Sequence, residues 1–276
     1  MRTWLITGAS SGLGRAMAHG ALEAGDAVVG FMRDPVAAAA FDALAGERSL
    51  GLAVDVTERA AVFDAVARAE ALTGAIDILV NNAGQVLQAY VEEADPNAVR
   101  ALIEVNLMGP LNLIQAVLPH MRARRSGRIF NISSGGGIQG VPSIGLYSAS
   151  KFALEGMTEA LAAEVGPLGI HVVIIEPGAF RTNLLIRNVT TNDAGLADYA
   201  AGAGRTRDWI ARMGGTEPGD PAKLGRAVVA FADVESPPMR LPLGQDALAM
   251  VLAKADSLRS DAQAGRGPSA DLAFDV

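Results

Sequence analysis

The chain has 276 residues, half of them apolar and 19% charged, which suits one large globular domain and excludes a disordered chain. Its net charge of −7 disfavours electrostatic binding to nucleic acid or to an anionic membrane surface, and we predict neither as a partner. The absence of cysteine excludes disulfides, thiolate catalysis and cysteine-based metal sites, and we predict no metal site. No signal-peptide pattern and no apolar run of about 18 residues stand out, so a cytoplasmic location is expected.

Short apolar runs alternate along the chain with longer helical segments. This alternation predicts the α/β class, with a parallel sheet covered by helices on both faces. The predicted strands are 3–7, 27–31, 50–54, 76–80, 128–132, 171–176 and 240–243. The predicted helices are 13–24, one from about 35, one capped by Thr57 and ending near 73, 96–121, 147–165, 221–232 and 245–264.

Two segments show no regular pattern. Residues 182–219 lack clear periodicity, and a stretch of this length is typical of a functional lid or a disordered loop, so we predict a substrate lid. Residues 265–276 are predicted to be a flexible tail. Because there is no internal repeat and no interdomain linker, we predict one domain over 1–276 that both binds the ligand and performs the chemistry.

A glycine-rich turn, T-G-A-S-S-G-L-G, joins the first predicted strand to the first helix. Such a turn lets the backbone approach a pyrophosphate, which the amides and dipole of the helix N-terminus then bind. The spacing is G-x-x-x-G-x-G rather than the commoner G-x-G-x-x-G, so a plain strand-to-helix turn is the alternative. We predict a dinucleotide here, bound by Gly8, Ser10, Ser11, Gly12, Leu13 and Gly14.

The residues after the second strand predict which dinucleotide binds. A carboxylate about 20 residues after the glycines binds a free ribose 2′-hydroxyl, whereas arginine suits a 2′-phosphate. Met32 falls at the acid position and Arg33 follows it, which favours NADP(H). Asp34 supports the alternative, because a shift of two residues would bring its carboxylate into reach and favour NAD(H).

Two further strand ends are predicted to face this cofactor. Asp55, after the third strand, is placed to accept a hydrogen bond from an adenine amino group, and capping of the following helix is the alternative. Asn82, Ala83 and Gly84 follow the fourth strand, where small residues leave room for a cofactor. A simple turn is the competing interpretation of these three residues.

Tyr147 and Lys151 stand at i and i+4 in Y-S-A-S-K and share one face of a predicted helix. A tyrosine hydroxyl can protonate the oxygen of a ketone during hydride transfer, but its ordinary pKa of about 10 suits neutral pH poorly. We predict that the Lys151 ammonium lowers the pKa of Tyr147. Ser134, with Ser133 as a rival, is predicted to stabilise the developing negative charge. Asn106, within an apolar helix, needs a polar partner, and we predict a buried water that relays protons toward Lys151.

Together these motifs resemble the short-chain dehydrogenase/reductase family over about residues 2–182. The resemblance implies a doubly wound Rossmann sheet of seven parallel strands, a nicotinamide cofactor and a homodimer or homotetramer. The run Y-S-A-S-K-F-A-L-E-G is similar to that of hydroxysteroid-dehydrogenase-like carbonyl reductases.

The resemblance also implies residue roles. Ser134, Tyr147 and Lys151 are the implied catalytic triad, Asn106 is its fourth member, and the spacing to the tyrosine favours Ser134 over Ser133. Tyr147 and Lys151 are implied to contact the cofactor too. The remaining implied cofactor contacts are Val56, Pro177, Gly178 and Thr182.

Two departures from the family pattern matter. Ser11 stands where NADP-preferring members often carry a basic residue, so the prediction of NADP(H) depends mainly on Arg33. The C-terminal part is longer than in the shortest members, which leaves dimer and tetramer open.

We therefore expect an oxidoreductase that transfers a hydride between NADP(H) and a bulky, mainly apolar ketone, aldehyde or secondary alcohol. An NAD-dependent alcohol dehydrogenase on the same residues and a non-catalytic NADP(H)-sensing regulator are the alternatives. The intact set of four catalytic residues argues against a sensor. The side chains predicted around the substrate are Gln85, Tyr90, Ile138, Val141, Ile144, Leu184, Leu185, Trp209 and Met213.

Overall fold

The computed structural model describes residues 1–182, 184, 189–191, 196–199 and 202–266. Its strands are β1 Thr3–Thr7, β2 Ala27–Met32, β3 Ser49–Ala53, β4 Ile78–Asn81, β5 Val86–Gln88, β6 Gly127–Ile132, β7 Ile170–Pro177, β8 Val189–Thr191 and β9 Arg240–Leu243. Seven of them form one sheet in the order β3-β2-β1-β4-β6-β7-β9, with every pairing parallel. The other two, β5 and β8, pair in parallel as a separate small sheet.

Nine α-helices are described. They are α1 Gly12–Glu23, α2 Pro35–Asp42, α3 Arg59–Thr73, α4 Pro96–Ile103, α5 Gly109–Arg124, α6 Gly145–Val165, α7 Ala203–Met213, α8 Pro221–Phe231 and α9 Gln245–Ala264. A π-helical turn, Glu104–Met108, joins α4 to α5. Short 3₁₀ turns lie at Gly46–Arg48, Gly135–Gly137, Gly166–Leu168 and Ala197–Tyr199.

The helices cover both faces of the main sheet, because the strands are apolar on both sides. Along β1, Trp4 and Ile6 pack with residues of α1, α2 and α8 on one face, while Leu5 packs with residues of α3, α5 and α6 on the other. All three side chains are fully buried. The predicted fold class, a doubly wound α/β sheet of seven parallel strands, is confirmed.

The strand order reverses at β1. From β1 the chain moves outward through β2 to β3, and then crosses back to β4 on the other side of β1. The connections that follow β1 and β4 therefore separate at the carboxyl ends of these strands, and such a switch point leaves a crevice where ligands bind. The fold thus brings together the turn after β1 and the loop after β4.

Two predictions about local structure were wrong. Thr57 does not cap α3, because the Asp55 carboxylate accepts hydrogen bonds from the Thr57 amide and hydroxyl, and the helix begins after Glu58. Residues 182–219 do contain regular structure, namely β8, the turn Ala197–Tyr199 and α7. Leu185 and most of the predicted tail lie outside the described residues, and the lid remains a prediction.

Within the part of the chain that the structure describes, one helical run is long and apolar enough to cross a membrane by length and composition alone. This run, Pro96–Arg124, reaches a mean hydropathy of 1.4 over 18 residues, so the expectation that no such segment exists was too strong. Half of that window is buried inside the fold. Buried core helices share these properties, so the finding is weak evidence for a membrane segment.

Candidate active site

The glycine turn after β1 has the geometry that its sequence predicts. Gly8 and Gly12 have φ angles of +68° and +55°, a region that residues with a side chain rarely adopt. Gly14 permits a close approach instead, since a Cβ there would overlap the Gly8 carbonyl oxygen and lie 2.5 Å from Asn82 Nδ2. The three glycines therefore let α1 begin directly against the ends of β1 and β4.

The N-terminus of α1 has no side-chain cap among the described hydrogen bonds. Ser11 occupies the N-cap position in an extended conformation, but its hydroxyl accepts no bond from the helix. The first amides of a helix have no partner within the helix, and the dipole places partial positive charge there. This end of α1 therefore offers N–H donors to an anion such as a pyrophosphate.

The loop after β4 is tied to β1 by Thr7. The Thr7 hydroxyl accepts hydrogen bonds of 2.9 Å from the amides of both Asn82 and Ala83. The Asn82 side chain in turn donates to the Thr7 carbonyl at 2.8 Å. The Asn82 amide group thus holds two strand ends together, a role that sequence reasoning missed because Thr7 stood inside an apolar strand.

A cavity of about 290 Å³ lies along the carboxyl ends of the strands. It is continuous from Arg33 at one end to Tyr147 and Lys151 at the other. Of the predicted site residues, those that line it are Gly8, Ser10, Ser11, Gly12, Leu13, Arg33, Asp55, Val56, Asn82, Ala83, Gly84, Ser134, Tyr147, Lys151, Pro177, Gly178 and Thr182. The lining residues not predicted as site residues are Phe31, Met32, Val54, Gln85, Val105, Ile132, Ser133, Phe180 and Leu184, of which Gln85 and Leu184 were expected near the substrate.

The two candidates for the ribose contact differ in their surroundings. Arg33 lines the cavity directly after β2. The Asp34 carboxylate instead caps α2 by accepting a hydrogen bond of 2.9 Å from the Val36 amide. Asp55 lines the cavity as predicted, but it does not cap α3, because its carboxylate holds the turn at Thr57 and the N-cap residue is Glu58.

Pro177 and Gly178 are held by the C-terminal part of the chain. The Gly178 amide donates to the Leu243 carbonyl at 2.8 Å, which continues the pairing of β7 with β9. Asp246, at the start of α9, accepts a hydrogen bond from the Ala179 amide and leaves no room for a side chain at Gly178. The late strand and helix therefore shape one wall of the cavity.

Three side chains converge at the other end of the cavity. Tyr147 lies near the start of α6, and its hydroxyl shares a hydrogen bond with Ser134. Lys151, one turn later, places its Nζ 5.9 Å from the centre of the Tyr147 ring and donates a 2.8 Å hydrogen bond to the Ile132 carbonyl. Ser133 points elsewhere, since its hydroxyl donates to Glu155 at 2.6 Å. The structure thus joins Ser134, rather than Ser133, to the tyrosine.

The electrostatics of this group differ from the expectation. Burial raises the pKa of Tyr147 above its ordinary value of 10, and the hydrogen bond with Ser134 offsets part of this rise. Burial also lowers the pKa of Lys151 to about 8, against which the Glu155 carboxylate raises it. The predicted lowering of the Tyr147 pKa is therefore wrong in its net direction, because desolvation of the buried phenol dominates.

Asn106 lies within the π-helical turn and is fully buried beside the cavity rather than in its lining. Its amide bonds the backbone N–H and carbonyl of Gln85, each at 3.0 Å, and donates to the Ser150 hydroxyl at 3.0 Å. Its described hydrogen bonds do not include Lys151. The extra residue of a π-turn redirects a side chain inward, and here it fixes the loop after β4 against α6.

Comparison with known proteins agrees with this geometry. A family model described as short chain dehydrogenase matches residues 2–193. A 3-ketodihydrosphingosine reductase from Bacteroides thetaiotaomicron is 38% identical over 247 residues, which cover 87% of each chain. A crystal structure of a short-chain dehydrogenase from Streptomyces avermitilis is 40% identical, has a TM-score of 0.91 and covers 97% of each chain.

Two further solved structures contain a cofactor. A gluconate 5-dehydrogenase from Burkholderia cenocepacia, in complex with NADP and tartrate, is 32% identical with a TM-score of 0.74 and covers 90% of this chain and 95% of its own. A short chain dehydrogenase/reductase from Burkholderia phymatum, in complex with NAD, is 25% identical with a TM-score of 0.80 and covers 94% of this chain and 95% of its own.

This chain belongs to the short-chain dehydrogenase/reductase family. It is an oxidoreductase that acts on hydroxyl or carbonyl groups with a nicotinamide nucleotide as cofactor. The residues present fit that cofactor, because the cavity joins uncapped helix amides at the glycine turn to a buried tyrosine, serine and lysine.

Proposed function

We propose that the protein is an NADP(H)-dependent carbonyl reductase for bulky, mainly apolar ketones. One observation carries the proposal: a single cavity contains an arginine at the expected ribose position and, at its other end, the Ser134–Tyr147–Lys151 group. A cytoplasmic location and a homodimeric or homotetrameric assembly belong to the same proposal and are supported by the sequence alone.

The cofactor would supply the hydride, and the chain supplies the proton and the charge stabilisation. The raised pKa of Tyr147 keeps its hydroxyl protonated at neutral pH, so that it can donate a proton to the substrate oxygen. Ser134, already bonded to Tyr147, orients that oxygen and stabilises its developing charge. The Lys151 ammonium stabilises the phenolate that remains on Tyr147.

The preference for NADP(H) is supported by the region after β2. A guanidinium pairs well with a phosphate, and Arg33 lines the cavity where the ribose would lie. Asp34, the residue that would favour NAD(H), already caps α2. The glycine turn would hold the pyrophosphate against the first amides of α1, while Lys151 and Tyr147 would hold the nicotinamide ribose.

The apolar substrate is supported by the surroundings of Tyr147. This residue belongs to a buried apolar cluster with Val86, Leu87, Ala89 and Leu102, against which Ile144 and Leu184 also pack. The relative named 3-ketodihydrosphingosine reductase suggests a long-chain ketone, whereas the gluconate 5-dehydrogenase suggests a polar polyol acid. The apolar cluster favours the first class.

The test has two steps. Fluorescence titration of the purified protein with NADPH and NADH should give a dissociation constant at least tenfold lower for NADPH. NADPH oxidation is then followed with long-chain and aromatic ketones and, in parallel, with keto-acids and keto-polyols.

Turnover of the apolar ketones with NADPH supports the proposal. Tighter binding of NADH would contradict the role of Arg33, and turnover of charged substrates alone would contradict the proposed substrate class.

A further inference from the structure

The end of β6 is bonded to three successive turns of α6. Ser134 meets Tyr147, the Ile132 carbonyl accepts from Lys151, and the Ser133 hydroxyl donates to Glu155. The three helix residues stand at i, i+4 and i+8, so the motif Y-S-A-S-K continues on the same face to Glu155. The side chains of Tyr147 and Lys151 line the cavity, whereas Glu155 lies behind it with only 5% of its surface exposed.

Glu155 belongs to a cluster of charges from three elements, α6, β7 and β9. Arg240, on β9, contacts Glu155 at 2.9 Å and Glu159 of the next turn at 2.6 Å. Its Nε also lies 3.1 Å from Glu176, the fully buried penultimate residue of β7. Ser133 adds the one described hydroxyl donor. Three carboxylates therefore share one guanidinium, and Lys151, one turn from Glu155, is the nearest further cation on the helix.

We propose that Glu155 is a positioning residue of the active site, which keeps the Lys151 ammonium charged from behind the cavity. The role of Glu155 in catalysis rests on the proposed function. The contacts of Glu155 with its neighbours do not involve a substrate, so they hold whatever the substrate is. A buried ammonium is costly without a nearby negative charge. Apart from the Ile132 carbonyl, Glu155 supplies that compensation.

The neighbours of Glu155 oppose part of the effect of burial on its carboxyl group. Burial raises the pKa of this group above its ordinary value and Glu159 adds to the rise, while the Ser133 hydrogen bond and Arg240 offset part of it. In turn, the Glu155 charge opposes the desolvation that lowers the pKa of Lys151 to about 8. Removing that charge would therefore lower the pKa of Lys151 further, so that Lys151 loses its proton nearer neutral pH.

The test measures the Lys151 titration directly, in protein without substrate. The chain has two other lysines, Lys223 and Lys254, so ¹³Cε-labelled lysine gives three NMR signals that substitution of Lys151 assigns. In Glu155→Gln, which keeps the shape of the side chain, we expect the Lys151 midpoint to fall by about one pH unit. The control is Glu159→Gln, which removes the other α6 carboxylate on Arg240 and should leave the midpoint within about 0.3 units.

An unchanged Lys151 midpoint in Glu155→Gln overturns the proposal, and so does an equal shift in Glu159→Gln. Should Glu155→Gln not fold, Ser133→Ala replaces it. Without the hydroxyl donor the pKa of Glu155 rises, and the Lys151 midpoint should again fall; no change would overturn the proposal.

Activity provides a second measurement. In Glu155→Gln the alkaline fall of kcat/KM for ketone reduction should move to lower pH by the same amount as the NMR midpoint. If the midpoint shifts as expected while wild type reduces no ketone, the proposed function fails and the link between Glu155 and Lys151 stands.

Discussion

The two ends of the cavity are built by different means. Around the glycine turn the determinants belong to the backbone: positive φ angles at Gly8 and Gly12, and an approach at Gly14 that excludes a Cβ. Around Tyr147 the determinants are buried polar side chains, each bonded to a residue distant in sequence.

This difference determines how each end tolerates change. The glycine turn requires only that side chains be absent at certain positions, and each of these positions can be read from the sequence of the turn itself. A buried polar site requires that every partner be present, because an unpaired group in a dry interior costs free energy. Substitutions at the two ends of the cavity should therefore impair the protein in different ways.

Loss of the Tyr147 hydroxyl should have the largest effect. In Tyr147→Phe we expect ketone reduction to fall about 1,000-fold, because the proton donor is removed, while NADPH affinity falls by no more than about tenfold, because only one of several cofactor contacts is lost. Steady-state kinetics with a parallel fluorescence titration measures both. Tyr90→Phe is the control, because Tyr90, although predicted near the substrate, is stacked on Tyr199 and lies outside the cavity lining. More than a tenth of wild-type activity in Tyr147→Phe would assign the proton to another group.

A Cβ at Gly14 should disrupt the glycine turn at the other end of the cavity. In Gly14→Ala the added carbon would overlap the Gly8 carbonyl, so we expect NADPH affinity to fall about tenfold or more and stability to drop by about 1–3 kcal/mol. Gly156→Ala on α6 is the control. Nothing lies within 4 Å of its added Cβ, and alanine in an exposed helix should stabilise by about 0.5–1 kcal/mol. Equal behaviour of the two variants in titration and urea unfolding would show that the close approach is unimportant.

Arg33 should control the choice of cofactor without affecting the chemistry. In Arg33→Ala we expect NADPH affinity to fall about tenfold and NADH affinity to stay within twofold, since only the 2′-phosphate loses a charged hydrogen bond. Arg68→Ala, on an exposed part of α3 and away from the cavity lining, should change neither. A parallel loss for both cofactors would mean that Arg33 supports the fold of this end rather than reading the ribose.

Substitution of Glu176 should have the smallest effect, which should appear in the stability of the protein. Both of its oxygens are buried, and among the described residues neither has an aligned hydrogen-bond donor. Burial and the nearby Glu155 charge raise the pKa of Glu176 to about 7 despite Arg240. A carboxyl with a raised folded-state pKa favours folding at low pH, and this contribution is lost as pH rises from about 4.5 through 7.

We therefore expect Glu176→Gln to stabilise the protein at pH 8 by about 1–3 kcal/mol, a few degrees in Tm, and to change little at pH 5. Thermal unfolding of wild type, Glu176→Gln and Glu159→Gln at both values measures this. The same gain at pH 5 as at pH 8 would contradict the assigned titration.

Most strands and the catalytic helix were predicted within two residues, because apolar runs and caps are local signals. The small sheet of β5 and β8 was missed, since each strand has three residues and gains its regular pairing only from the other. The π-turn that buries Asn106 was missed for a similar reason, as helical periodicity does not reveal one inserted residue. Thr57 was wrongly predicted as the N-cap of α3, because the sequence does not show that Asp55 holds it in a turn before the helix.

The fold class, the glycine turn and the identity of the side chains at the reaction end can be predicted from the sequence, because spacing within one helix or turn dictates those features. Three other features depend on how distant elements pack: which serine meets Tyr147, where Asp34 directs its carboxylate, and the contact of Arg240 with Glu155, 85 positions away. The pKa of Tyr147 also belongs to this second group, since it depends on how much water the packed elements exclude.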